Sequence, residues 1–345
     1  MNKIYILLIL LILSCSKPVD KPNLLFILVD DLGWTDVSYN GSDFYETYNI
    51  DRLSLNSMLF YNAYASSSVC SPTRAAIMTG KHPARVNITD WIPGLEEQPH
   101  YNNKNKPLIG PQDLNELPLS EITIAEVLKK NGYKTFYSGK WHLGSEGHYP
   151  EDQGFDINIG GFEKGSPMGG YYTPYKNPKL EDGPEGEYLT DRLTQETIDF
   201  IDSRDESKPF AAFLAFYNVH TPIQENKEFY DYYKEKLKDY DDIEPVTKKE
   251  GDAITLLNQR NAKYASMVHA TDYNVGKIIN YLQENNLYDD TLIVFTSDNG
   301  GLSTLKRIAP TSVYPLRAGK GWLYEGGIKI PQLMKLPKQA FQEII

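Results

Sequence analysis

The hydrophobic positions of this chain fall into short blocks that alternate between two periods. Asn23 to Val29 is a near-continuous run of Leu, Ile, Phe and Val, the pattern of a strand buried on both faces. Leu59 to Ala65, Lys134 to Ser138, Phe210 to Phe216 and Thr291 to Thr296 repeat the strand signal. Between them, Pro72 to Gly80, Ile122 to Lys130, Thr190 to Ile201 and Arg260 to Asn285 carry helical spacing. Asn131-Gly132 closes the second of these helices. Strands alternating with helices predict an α/β domain over 23–345, with a mostly parallel central sheet flanked by helices. Two stretches break the alternation. Gly160 to Gly186, rich in Gly, Pro and Tyr, reads as a long surface excursion, and Phe229 to Lys249, dense in charge and Tyr, as an exposed helix and loop.

The first residues follow a different rule. Lys3 precedes the apolar run Ile4 to Leu13, which falls well short of the roughly 20 residues a membrane-spanning helix needs. Residues 1–14 therefore read as a secretory signal peptide. Ile12-Leu13-Ser14-Cys15 resembles a bacterial lipobox, in which the Cys takes lipid after cleavage, and residues 15–22 would then be a lipidated tether. The alternative is an ordinary signal peptide that contains a Cys. The expectation is an exported protein, lipid-anchored to a bacterial membrane in the periplasm or at the cell surface.

Composition changes the picture in two places. The 345 residues are 41% hydrophobic and 23% charged, which is globular, and the net charge of −11 argues against nucleic acid as a partner. Cys15 and Cys70 are the whole cysteine supply, so lipidation of the first leaves Cys70 unpaired in an oxidising compartment. Modification or burial must account for it.

Candidate chemistry gathers where strands end. Asp30-Asp31 closes the first strand, and Gly33 permits the turn that adjacent carboxylates need in order to converge. Thr296-Ser297-Asp298-Asn299-Gly300-Gly301 closes the last strong strand with another carboxylate and an amide. Each motif alone suits a turn or a helix cap. Together they make an all-oxygen set for a hard cation, Ca²⁺ or Mg²⁺. In Cys70-Ser71-Pro72-Thr73-Arg74, Ser71 fits an N-cap and Pro72 the first helical position, which puts Cys70 at an anion-friendly helix end beside the Arg74 guanidinium.

These residues resemble the signature of the formylglycine-dependent (type I) sulfatases of the alkaline phosphatase superfamily, in which the Cys of Cys-x-Pro-x-Arg is oxidised to Cα-formylglycine. The resemblance runs from about Lys21 to Pro331 and includes Asp30-Asp31, the Cys70 run, Gly139-Lys140-Trp141-His142-Leu143-Gly144 and Asn218-Val219-His220-Thr221-Pro222. Ser297-Asp298-Asn299-Gly300-Gly301, Gly319-Lys320-Gly321-Trp322 and Glu325-Gly326-Gly327 complete it in the family's order. It implies an alkaline-phosphatase-like fold, a divalent cation held by Asp30, Asp31, modified Cys70, Asp298 and Asn299, and a maturating enzyme as a partner. The hydrated aldehyde at position 70 would attack sulfur, His220 would protonate the departing alcohol, and His142 would take the proton that expels sulfate. Arg74, Lys140 and Lys320 would offset charge on the sulfuryl oxygens. Lys140 and His142, two apart in an extended segment, can face one pocket, and Lys320 sits between glycines that suit close approach to a ligand. His269 reads as a packed or surface residue, and His82, His100 and His148 receive no role.

Asn87 to Gly94 is similar to a segment of carbohydrate-directed sulfatases from marine and gut bacteria. Trp91 would stack on a sugar and Asp90 take a hydroxyl; the alternative is a packed Trp in an ordinary loop. The implied substrate is a sulfated carbohydrate or an aryl sulfate. Family members usually continue past this length with a smaller C-terminal domain, so the resemblance implies a C-terminal subdomain largely missing here, with unpaired strand edges and exposed apolar surface. Gln332 to Ile345 reads as an apolar, unfinished end. Two other readings stay open: a phosphonate or phosphodiester hydrolase of the same superfamily, and an inactive lipid-anchored glycan-binding remnant.

Overall fold

The computed structural model describes residues 21–92 and 113–341, so the signal segment, Cys15 and the Pro93-Gly94 end of the Trp91 loop lie outside the described residues. Ten strands are present among them: β1 (Asn23–Val29), β2 (Met58–Leu59), β3 (Lys134–Gly139), β4 (Ile157–Ile159), β5 (Phe210–Ala215), β6 (Thr247–Glu250), β7 (Ala253–Leu256), β8 (Thr291–Ser297), β9 (Thr304–Leu305) and β10 (Gln332–Lys335). The apolar runs β1, β5 and β8 lie side by side at the middle of a seven-stranded sheet ordered β2-β10-β8-β1-β5-β3-β4. From β8 to β4 every pairing is parallel, while β10 runs antiparallel to both β8 and β2. The mostly parallel sheet expected from the sequence is the one observed. A second, three-stranded sheet, β6-β7-β9, stands apart from it.

Every residue of β5 is buried, as a central parallel strand covered on both faces requires. Phe26 stacks on Phe213 across β1 and β5 at 5.2 Å, and Phe136 of β3 stacks on Phe200 of the Leu189–Asp202 helix at 4.4 Å. The long helix, Ala262–Glu284, starts where Asn261 Oδ1 accepts the backbone N–H groups of Lys263 and Tyr264. Thr123 and Glu126 form a capping box, so the Ile124–Lys130 helix begins at Ile124, two residues later than its apolar pattern begins.

Several expectations are corrected. Of the Leu59–Ala65 run only Leu59 is in a strand, the two-residue Met58–Leu59; beyond it Phe60 N donates to Gln332 O and Ala65 N to Ile328 O, contacts too irregular to form a ladder. Gln332–Lys335, the first part of the apolar Gln332–Ile345 segment, is a strand paired on both sides. The Cys70–Thr79 helix begins at Cys70, with Val69 as N-cap, and Ser71 Oγ instead accepts the N–H of Ile92. The Gly160–Gly186 excursion is not superficial, because Phe162, Tyr171, Tyr175 and Leu180 are all buried. Phe229 to Lys249 is as exposed as expected, apart from Tyr233 in the short Tyr230–Lys236 helix. No helix among the described residues is long and apolar enough to cross a membrane.

Candidate active site

Because β1 and β8 pair in register from Asn23↔Thr291 to Val29↔Ser297, the residues after each strand leave the sheet side by side at its carboxyl end. The backbone turns at Asp31 itself, which adopts φ 62°, rather than at Gly33. Asp31 N then donates to Asp298 Oδ1 at 3.2 Å, and Asn299 Nδ2 donates to Asp31 Oδ1 at 2.8 Å. The two strand ends thus share one polar cluster, wholly buried.

Three basic side chains enter that cluster from three other segments. Arg74, in the first turns of the Cys70–Thr79 helix, donates from Nε to Asp298 Oδ2 at 2.8 Å and from Nη1 to Lys140 O at 2.6 Å. Lys140, just past β3, donates to Asp30 Oδ2 at 2.6 Å. Lys320 reaches Asp31 at 2.7 and 2.8 Å from its two carboxylate oxygens. Each buried carboxylate therefore has its own cation, the condition under which burying charge is tolerated. Burial pushes the Asp31 and Asp298 carboxyls up, but Lys320 and Arg74 respectively lead the opposing charges and hold both below the usual carboxylate range. Asp30 is raised, by burial first and then by neighbouring Asp298.

Cys70 faces this cluster from the helix start and is 2% exposed. Burial opposes its ionisation, yet Lys140 and Lys320, with a hydrogen bond from His220, bring the thiol down to about 6. Ligating atoms of Asp30, Asp31, Cys70 and His220 lie within 4.8 Å of one another. Two buried oxygens beside them, Asp30 Oδ1 and Asn299 Oδ1, accept no hydrogen bond. Orphaned oxygens next to carboxylates are what a hard cation would satisfy, so the residues present fit one. Asp298 stands just outside the tightest set, its oxygens taken by Arg74 and Asp31 N.

The two site histidines differ. His142 does not continue an extended strand; it adopts φ 60° and points its ring at the cavity through a turn. Its Nε2 lies 3.0 Å from Ile92 O, an acceptor, which assigns the proton to Nε2 and leaves the buried, unpartnered Nδ1 as a lone pair. Burial, followed by Lys140, lowers its pKa well below the usual value. At His220, burial is outweighed by Asp30 and Asp31, and the pKa is raised. His220 Nδ1 is 2.8 Å from Thr221 O, which leaves Nε2 toward Asp31 Oδ2 at 3.8 Å. One histidine is set up to accept a proton and the other to hold one.

A cavity of about 630 Å³ opens over Cys70, His142, His220 and Lys320. Trp91 lies on its wall, while Asp90 is absent from the lining and accepts the N–H of Trp91 at 2.8 Å. The sequence reading missed several wall residues: Asn115, Glu116 and Ser145, and the Glu163–Ser166 tip of the excursion. Nothing in their residue types separates them from ordinary loop positions. Gly319 permits close packing, as expected, but onto protein: a Cβ there would lie 2.3 Å from Ser303 Oγ. His269 stacks on Phe229 far along the chain and stays out of the site.

Residues 22–344 match the profile of the family described as Sulfatase. The chain belongs to the sulfatase family. It is 30% identical to human (Homo sapiens) N-acetylgalactosamine-6-sulfatase over 94% of its own length and 59% of that protein, and 30% identical to mouse (Mus musculus) arylsulfatase J over 90% and 47%. It therefore spans about half the length of the curated relatives it matches. Among solved structures, Ps i-CgsB in complex with k-i-k-neocarrahexaose superposes with a TM-score of 0.69 at 32% identity, covering 92% of this chain and 66% of that one. A phosphonate monoester hydrolase from Agrobacterium radiobacter, at 17% identity and a TM-score of 0.58, shares the fold.

Proposed function

We propose that this sulfatase-family chain carries the catalytic centre of a hydrolase that removes sulfate from sulfated carbohydrates. The observation that carries the reading is Cys70 itself: a buried thiol at a helix start, facing Lys140 and Lys320 and sharing a cavity with His142 and His220. The structure holds the unmodified thiol, whose Sγ marks the position that the modified side chain would take. Formylglycine would supply a regenerable oxygen nucleophile there, and a Ca²⁺ or Mg²⁺ ion held by Asp30, Asp31, Asp298, Asn299 and residue 70 would offset negative charge.

The remaining chemistry belongs to side chains present. Lys140 and Arg74, both buried, and Lys320, at the cavity floor, supply fixed positive charge in a site shielded from much of the solvent, where such charge is more effective than in water. His220, with its raised pKa, suits protonation of the departing sugar oxygen. His142, neutral and with Nδ1 free, suits the proton removal that closes the cycle. Trp91, 40% exposed on the cavity wall, offers an aromatic face to a sugar ring. The named substrates of relatives support a carbohydrate: one is an N-acetylgalactosamine-6-sulfatase, and another is solved with a neocarrahexaose.

The test is expression of the full chain beside a maturating enzyme, with mass spectrometry of the Cys70 peptide and parallel assays on sulfated oligosaccharides and an aryl phosphate diester. The expected result is an aldehyde at position 70, sulfate release that a chelator removes, and no release by Cys70→Ala. Dominant phosphodiesterase activity, or an equally active Cys70→Ala variant, would overturn the reading. The export and lipid anchor are part of the same proposal and rest on Lys3, the Ile4–Leu13 run and Cys15; Cys15→Ala is expected to move the protein from membrane to soluble fractions.

A further inference from the structure

Segment 217–220 carries His220 from the end of β5 into the cavity. It is a tight turn, with His220 N donating to Tyr217 O at 3.0 Å. Asp30 grips its far side, since Asp30 N donates to Asn218 O at 2.8 Å and Val219 N to Asp30 O at 2.7 Å. The near side is held by a residue of the Gly160–Gly186 excursion. Tyr171 Oη lies 2.6 Å from Tyr217 O and 2.8 Å from His220 O, so one hydroxyl is shared by the carbonyls at both ends of the turn. The same residue donates its backbone N–H to Gln224 Oε1 at 2.8 Å, clasping the chain again four residues beyond His220.

We infer that Tyr171 is a positioning residue for His220: its hydroxyl sets the turn from which the imidazole reaches the leaving-group oxygen. This rests on the sulfatase reading, in which His220 protonates the departing alcohol. The ring of Tyr171 is fully buried and stacks on Tyr188 at 5.7 Å, so phenylalanine would preserve the packing. The hydrogen bonds from Tyr171 to the turn come from the hydroxyl, which phenylalanine lacks. The ring of His220 is in turn tied to its own main chain through Nδ1 and Thr221 O, at 2.8 Å. A shift of the turn is therefore passed to Nε2 rather than absorbed by side-chain rotation. Proton delivery depends steeply on that distance, and matters most when the departing oxygen is a poor leaving group.

The experiment compares Tyr171→Phe with the unaltered full chain, matured at Cys70, on 4-nitrophenyl sulfate and on a sulfated sugar. The expected result is a loss of about tenfold in kcat on the sugar sulfate and about twofold or less on the nitrophenyl ester, which leaves without protonation. In a His220→Ala background, Tyr171→Phe is expected to add no further loss, the non-additivity of residues acting as a unit. Tyr175→Phe is the control: it is buried in the same excursion, but its hydroxyl bonds Glu187 and not the turn. Equal losses on both substrates, or an undiminished loss in the His220→Ala background, would overturn the inference. Should Tyr171→Phe fail to fold, Gln224→Ala opens the other side of the clasp, and the same selectivity, or its absence, decides. Absence of any Cys70-dependent sulfate release by the unaltered protein would overturn the sulfatase reading, and this inference with it.

Discussion

Two stretches interrupt the regular alternation of strands and helices, and they look alike in sequence, both polar and rich in tyrosine. In the fold they have opposite fates. Gly160–Gly186 folds inward: Tyr171 and Tyr175 are fully buried, its tip lines the cavity, and Gly165 packs against the ring of His142. Phe229–Lys249 stays outside, anchored by Tyr233, whose hydroxyl accepts the N–H of Glu46 and is hydrogen-bonded with His269 Nδ1 at 3.0 Å. The difference lies in where each stretch meets the sheet. The first follows β4 beside the carboxyl ends of β3 and β5, where the site is built; the second packs on the Ala262–Glu284 helix, away from it. Loops of similar composition act on catalysis or on stability according to the edge they cover.

The comparison can be broken most sharply at Gly165. A Cβ there would lie 2.4 Å from the His142 ring, which is buried and pinned to Ile92, so Gly165→Ala is expected to lower kcat about a hundredfold, with a stability loss of about 1–3 kcal/mol from overpacking. Matched unfolding and rate measurements check this; a rate within a few-fold of the unaltered chain would mean that the ring moves freely.

Next in size is the acid response of the outer stretch. Burial, opposed by Glu46 and joined by Lys236, lowers the His269 pKa. A His with a lowered folded pKa contributes stability that is present above the unfolded value of about 6.5 and is lost as pH falls through that value toward the folded pKa. Melting curves from pH 7.5 to 5 should therefore show a fall in Tm that His269→Gln reduces. The inner stretch relies on tyrosines such as Tyr175, whose burial moves ionisation further above neutrality, and should contribute no such slope.

Tyr233→Phe removes two hydrogen bonds from the outer anchor and is expected to cost about 1 kcal/mol in urea unfolding. Turnover should be unchanged, in contrast to the Tyr171 hydroxyl. Smallest of all, Lys248→Ala and Lys249→Ala, on the exposed strand β6, should stay within about 0.5 kcal/mol and leave activity alone. A large kinetic effect at either lysine would contradict the division between the two stretches.

Much of the frame was legible in the chain itself. The runs from Asn23, Phe210 and Thr291 are strands within a residue or two of their apolar limits, because a strand buried on both faces must be apolar throughout. The chemistry-bearing residues were legible as well: Asp30, Asp31, Cys70, Arg74, Lys140, His142, His220, Asp298, Asn299 and Lys320 converge as their motifs implied. What a motif cannot express is who pairs with whom. That Arg74 holds Asp298, Lys140 holds Asp30 and Lys320 holds Asp31 follows from five segments meeting at the carboxyl end of the central strands. The turn at Asp31, the short strand at Met58 and the Ser71 hydroxyl turned to Ile92 were likewise decided by neighbours distant in sequence. So was the placement of Tyr171, since nothing local distinguishes the tyrosine whose hydroxyl meets the 217–220 turn from others among 25. Residue types and their periods determined which groups this protein carries and which strands carry them. Only tertiary packing decided the pairings, because a buried charge or hydroxyl takes whichever partner the fold brings within reach.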